Sequence, residues 1–144
     1  MSAILEARLP TDKRKPLSEL STTALKQLTF CKQKMEKKHP GRIFFQEPFV
    51  VDVKNSEKYG ASVAYNMCPT ITKSHAHGLY VTCLQDFLRP SEVLAAQGFG
   101  RADVRAASEA ATSKKLYEMA GDAFTVTVVS RILESVLPAI GVQL

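Results

Sequence analysis

"RIFFQEPFVVDVKNSEKYGASVAYNMCPTITKSHAHGLYVTCL", residues 42–84, is the stretch that decides the fold, because it is β-like between two helical flanks. Ile43, Phe44 and Phe45 begin it, followed by Phe49, Val50, Val51 and Val53, by Thr70, Ile71 and Thr72, and by Leu79, Tyr80, Val81 and Thr82. Aromatic and β-branched side chains at this density favour a pleated, buried surface, so each group predicts a short strand. Asn55, Gly60, Asn66 and Gly78 fall between the groups as turn residues.

The flanks read differently. From Ser21 to about His39, Leu25, Leu28, Cys31 and Met35 recur at helical spacing until Pro40 and Gly41 stop the helix. "SEVLAAQGFG", residues 91–100, predicts a short helix begun at Pro90, with Glu92 in its first turn and Gly98 beyond its end. There Gly98 is expected to let the backbone reverse and Phe99 to insert into the core. Further helices are predicted at 103–112, 114–120 and 125–140. In the last, Val126, Val129, Leu133, Val136, Leu137 and Ile140 line an apolar face that has to be buried against something. The expectation is an α+β fold: a small mixed or antiparallel β region, flanked by an N-terminal basic helix and by C-terminal helices. Residues 1–20 form a basic N-terminal extension and residues 21–140 a single domain.

With 144 residues, 45% hydrophobic and 23% charged, the chain can bury a core and is not compositionally disordered. No apolar run of about 18 residues and no basic-then-apolar N-terminus occurs, so neither a membrane span nor a secretory signal is indicated. Three cysteines, Cys31, Cys68 and Cys83, make no disulfide framework and read as buried thiols in a reducing, intracellular setting. The formal charge of +5 is uneven: Lys13, Arg14 and Lys15 precede the first helix, and Lys32, Lys34, Lys37 and Lys38 end it. Such a helix is either a solvated face with cations near its negative end or a face that contacts phosphates through residues such as Lys32 and Lys34. Cys68, His75, His77 and Cys83 supply four metal-ligating groups within 16 residues. They lack the short Cys-x-x-Cys or His-x-x-x-His hooks of zinc sites, so no metal is expected. No acid/base pair, Ser-His-Asp order or glycine-rich phosphate loop emerges, so no independent hydrolase or nucleotide-binding role is supported.

Three segments in order, "CPTITKSHAHGLYV" (68–81), "LRPSEVLAAQGFG" (88–100) and "SKKLYEMAGDAF" (113–124), resemble the C-terminal part of the cytosine-5 DNA methyltransferases. That family has a Pro-Thr-Leu/Ile-Thr element in its target-recognition region, a Leu-x-x-x-Glu-x-x-x-x-Gln-Gly-Phe-Pro helix, and a closing Tyr-x-x-x-Gly-Asn-Ala/Ser turn before a last helix. Leu88, Glu92, Gln97, Gly98 and Phe99 fill the helix motif; Tyr117, Gly121 and Ala123 fill the closing one. The resemblance spans roughly residues 42–140. Asp86 and Ala95 stand where the family has arginines, Gly100 where it has proline, and Asp122 where it has asparagine.

The resemblance implies a division of labour. The catalytic half, with its prolyl-cysteine nucleophile, Phe-x-Gly-x-Gly cofactor loop and Glu-Asn-Val element, has no counterpart here; Cys68 precedes a proline rather than following one. No catalytic residue is therefore expected. The implied function is the DNA-binding target-recognition portion of a DNA (cytosine-5-) methyltransferase, a fragment or split subunit lacking the α/β cofactor sheet. The alternative is a non-catalytic DNA-binding or protein-interaction remnant. Thr72, Lys73, Ser74, His75 and His77 are expected to reach bases or phosphates, with Lys32 and Lys34. Glu92, Gln97, Gly98 and Phe99 are structural, with Gln97 expected to matter at the seam with the catalytic half more than for stability. Gly121, Asp122 and Ala123 match the turn that lines the S-adenosylmethionine pocket, where an added carboxylate is unfavourable unless offset. S-adenosylmethionine is implied only after completion by a catalytic partner. DNA is the first implied partner and a catalytic half, or a second copy through the C-terminal helix, the other, which places the protein with DNA in a nucleus or nucleoid.

Overall fold

A computed structural model of the chain describes residues 17–60 and 62–140. The predicted basic extension lies outside the described residues up to position 16. From Thr22 onward the described elements run α1 (Thr22–Lys38), β1 (Phe49–Asp52), β2 (Val63–Tyr65), β3 (Leu79–Val81), β4 (Asp86–Phe87), α2 (Pro90–Ala96), α3 (Arg101–Ala110), α4 (Ser113–Asp122) and α5 (Val126–Ala139). Short 3-10 turns at Leu17–Glu19, Glu57–Tyr59 and Ala76–Gly78 complete them. The four strands form one antiparallel sheet in the order β2-β1-β3-β4, with Val50 opposite Ala64 and Val81, and Tyr80 opposite Phe87. The fold is α+β.

Alternation along β1 and β3 explains the unbroken apolar run of the sequence. Phe49, Val51, Val53 and Tyr80 pack with Leu28, Cys31 and Met35 of α1 and with Phe44. Val50, Leu79 and Val81 point the other way, into a second cluster with Val93, Leu94, Val104, Leu116 and Ala120 of α2, α3 and α4. Because side chains alternate across a strand, a strand covered on both faces has no solvent-facing position to fill with polar residues.

Helix α1 begins where the hydroxyl of Ser21 accepts a hydrogen bond from the Ala24 amide at 3.2 Å, the usual service of an N-cap serine. Gly41, with φ +88°, turns the chain away after its end. The buried stripe is Ala24, Gln27, Leu28, Cys31 and Met35. Leu25, expected on that stripe, is 41% exposed; it lies about 120° around the helix from Cys31.

Two predicted strands are not strands. Ile43–Phe45 is a turn in which Ile43 accepts from the amides of Gln46 and Glu47, and it delivers Phe44 into the core between Phe45 and Phe49. Residues 70–72 are irregular, and the Thr72 carbonyl opens the following turn by accepting from His75 and Ala76. The ladder is built instead with β2 and β4, both too short to show a period of two. Gly98, at φ +90°, reverses the chain as expected. Phe99 does not insert into the core: it is half-buried at the margin of the α2–α4 cluster.

No residue of α5 is buried. Of the apolar face foreseen for this helix, Leu133, Val136 and Ile140 are exposed, while Val126, Val129 and Leu137 are partly buried, so the face is largely without cover among the described residues. No helix is long and apolar enough to cross a membrane.

Phe44 is 1% exposed, so Phe44→Ala is expected to lower the unfolding free energy by about 3–5 kcal/mol. Phe99→Ala, at a position that remains half in water, is expected to cost clearly less. Chemical-denaturation midpoints check this, and equal losses at the two positions would contradict the burial described.

Candidate functional site

The three segments 68–81, 88–100 and 113–124 meet at one junction. Pro90 and Glu92 start α2, and the Glu92 carboxylate accepts from the Arg89 amide at 2.6 Å, closing the first turn. Arg89 also donates to the buried carboxylate of Asp86 at 2.7 Å. Asp86 is therefore part of an ion pair that joins β4 to α2.

Gln97 is the hub of the junction. It is 6% exposed; its amide donates to the Ala120 carbonyl at 3.0 Å, and its side-chain oxygen accepts from the Thr125 hydroxyl at 2.8 Å. Its backbone carbonyl accepts from Val126 at 2.8 Å, tethering the first turn of α5. Gln97, expected to matter mainly at a seam with a catalytic half, is bonded within the chain itself. Its removal strands a buried carbonyl. Tyr117 completes the seam by donating to the Leu88 carbonyl at 2.7 Å.

Gly121 is where the loop of residues 70–78 lands. A Cβ there would lie 2.2 Å from the Lys73 amide nitrogen and 2.7 Å from the Thr72 carbonyl carbon, so only glycine permits this backbone approach. Lys73 then reaches Asp122, the last residue of α4, at 2.8 Å. A carboxylate at a helix C-terminus is electrostatically unfavourable, and Lys73 offsets both the charge and the dipole; the pairing raises the Lys73 pKa. The face of Gly121 is thus filled by the chain itself.

The loop's other members are also engaged or separated. His75 places Nδ1 2.6 Å from the buried Asp52 carboxylate, whose second oxygen accepts from the Lys54 amide at 3.0 Å. Thr72, Ser74 and His77 are exposed. Partial desolvation of the otherwise exposed ring, followed by the cation of Lys54, holds His77 below its ordinary pKa of 6.5. Burial also pushes the thiols of Cys31 and Cys68 up to about 11 and that of Cys83 upward, which keeps all three protonated and poorly nucleophilic at neutral pH. Among the described residues no group of three His, Cys, Asp or Glu side chains converges to hold a metal ion.

Lys32 and Lys34 are not brought to this loop. His39, just beyond the C-terminus of α1, packs near Phe49 and Tyr65. The opposite end of the helix, at Ser21 and Ala24, borders Val53, Lys54 and His77. A 17-residue helix is about 26 Å long, so the lysines and the loop lie toward opposite ends of α1. A cleft of about 1010 Å³ lies at the loop end, with Ser21, Lys54, His77, Arg89 and Tyr117 among its walls. It contains no nucleophile activated by a base, and its Arg89 is held by Asp86. Asp52, Asp86 and Lys54 had no motif to announce them: their roles come from partners distant in sequence or hidden in a turn. Comparison of the chain with protein-family models, curated proteins and solved structures gave no match.

Gly121→Ala is expected to cost about 1–3 kcal/mol or more, because backbone rather than a flexible side chain has to move. Gln97→Ala is expected to cost about 1–3 kcal/mol. Unchanged thermal midpoints for both would refute the junction. His77, whose folded pKa lies below its unfolded one, contributes stability that is present above pH 6.5 and lost as pH falls through the folded pKa. His77→Gln is expected to flatten that part of the stability–pH curve, measured by denaturation between pH 5 and 8; an identical slope in both proteins would contradict it.

Proposed function

We propose that the chain is the DNA-recognition portion of a DNA (cytosine-5-) methyltransferase, a split subunit or fragment completed by a catalytic chain. The observation that carries this reading is convergence. The segments whose order resembles the family's closing region are locked together through Gln97, Tyr117 and Gly121, although the last lies 53 residues from the Cys68 that opens the first segment. Convergence is what a shared structural role for those motifs requires. The nucleophile and the cofactor loop would come from the partner, together with the S-adenosylmethionine site, since the space beside Gly121 is filled. The largely uncovered apolar face of α5 supports the need for such a chain, because exposed faces of this kind mark interfaces.

One observation favours the second reading, a non-catalytic DNA-binding remnant. The Lys73–Asp122 pair and the tight Gly121 contact close the position that the family leaves open to cofactor.

A methyl-transfer assay on DNA with tritiated S-adenosylmethionine separates the two. The pure chain is expected to transfer nothing, and the chain co-purified with a partner carrying the Pro-Cys nucleophile and the cofactor loop is expected to transfer methyl groups to cytosine. Transfer by the chain alone overturns the split-subunit reading. A stable monomer that ignores every such partner favours the remnant.

A further inference from the structure

The lysines of α1 divide into two sets that the sequence does not distinguish. Lys32 lies beside Glu36, 3.7 Å away on the next turn. Lys34 is two residues on, about 160° around the helix from Lys32, so the two cannot address one ligand surface. Lys26, Lys34, Lys37 and Lys38 do share a face: at about 100° per residue they fall within an arc of about 120°. All four are exposed, and among the described residues none has a carboxylate within ion-pair distance. Lys26 and Lys37 are eleven residues apart, about three turns, which sets them almost in line and about 16 Å apart along the axis. The buried stripe of α1 packs against the sheet on the flank of this arc, and Lys38 reaches solvent at the stripe's own angle because the helix ends there, so the lysines are held on a rigid rod.

The recognition loop has the reverse electrostatics. Lys73 is bound to Asp122 with Glu118 nearby, at the negative end of α4, and His75 is bound to Asp52. An approaching phosphate has to compete with those carboxylates.

We infer that the outer face of α1, through Lys26, Lys34, Lys37 and Lys38, is the surface that binds the phosphate backbone of duplex DNA, and that Lys32 and Lys73 are not its main contacts. The inference rests on the DNA-recognition reading and names the surface that serves it. A duplex carries one charge per about 1.7 Å of axis, so exposed lysines spread over about 16 Å of helix, with no carboxylate partner among the described residues, meet several phosphates. Phe30, the aromatic side chain among these lysines, is half-buried, and α1 carries no row of exposed rings for stacking unpaired bases, which favours a duplex over a single strand.

Fluorescence-anisotropy titrations of the full chain with a mixed-sequence 20-base-pair DNA duplex, at several salt concentrations, test this. Four phosphate contacts correspond to a log–log salt slope of about 3.6. The quadruple variant with Lys26, Lys34, Lys37 and Lys38 each changed to Gln keeps good helix formers at every position. It is expected to bind at least ten-fold more weakly at low salt and to lose about 3.6 from the slope, with an unchanged circular-dichroism spectrum. Lys32→Gln and Lys73→Gln are expected to change affinity less than three-fold. Wild-type affinity retained by the quadruple variant, or a ten-fold loss from Lys73→Gln alone, overturns this assignment while leaving DNA recognition intact. No duplex binding by the unaltered chain at low salt overturns both. A quadruple variant that loses its helical spectrum is replaced by Lys26→Gln/Lys37→Gln, for which the expected slope loss is about 1.8; an unchanged slope there overturns the assignment as well.

Discussion

Phe49, Val50 and Val51 have no more than 1% of their surface exposed, and the rest of the described chain is arranged around covering both sides of that strand. A strand with apolar side chains in every position leaves one face in water unless two layers close on it, and exposure of either would forfeit about 25 cal/mol for each Å² of apolar surface. Helix α1 supplies one layer and α2, α3 and α4 the other. This requirement brings the basic helix and the motif-bearing helices onto one sheet, and it holds them on opposite faces.

The motif-bearing layer is joined by directional contacts more than by area. Gln97 connects α2 to α4 and to the start of α5, Tyr117 connects α4 back to the strand-to-helix corner at Leu88, and Gly121 takes the loop of residues 70–78 into backbone contact. Each buried polar partner is costly to leave unmade, so these contacts act as a lock of fixed geometry. Asp122 falls inside the lock. An aspartate at the end of α4 becomes tolerable because the loop delivers Lys73 to it, and the same pairing withdraws that lysine from the pool of free cations. The electrostatic asymmetry follows: a loop whose cations are internally neutralised, and a helix whose outer lysines face solvent. Helix α5 stands apart from both layers, tethered at its first turn and largely uncovered beyond it.

Much was legible in the residues themselves. The periodicity of Leu28, Cys31 and Met35 and the stop at Pro40–Gly41 specified α1; the density of aromatic and β-branched side chains specified β1 and β3; Pro90, Glu92 and Gly98 bounded α2; and the apolar arc of α5 was plain in its spacing. These are local signals, set by backbone preference and by which side chains share a face. Tertiary structure decided what those signals could not encode. It made Ile43–Phe45 a turn and left residues 70–72 irregular, because the buried place for Phe44 and the landing site at Gly121 outweighed β propensity. It moved Leu25 and Phe99 partly into water, made Gln97 a buried hub, and gave Lys73, His75 and Arg89 carboxylate partners 49, 23 and 3 residues away. Whether a lysine is free or paired depends on what lies within a few ångströms of its amine, and that distance exists only once the chain has closed on itself.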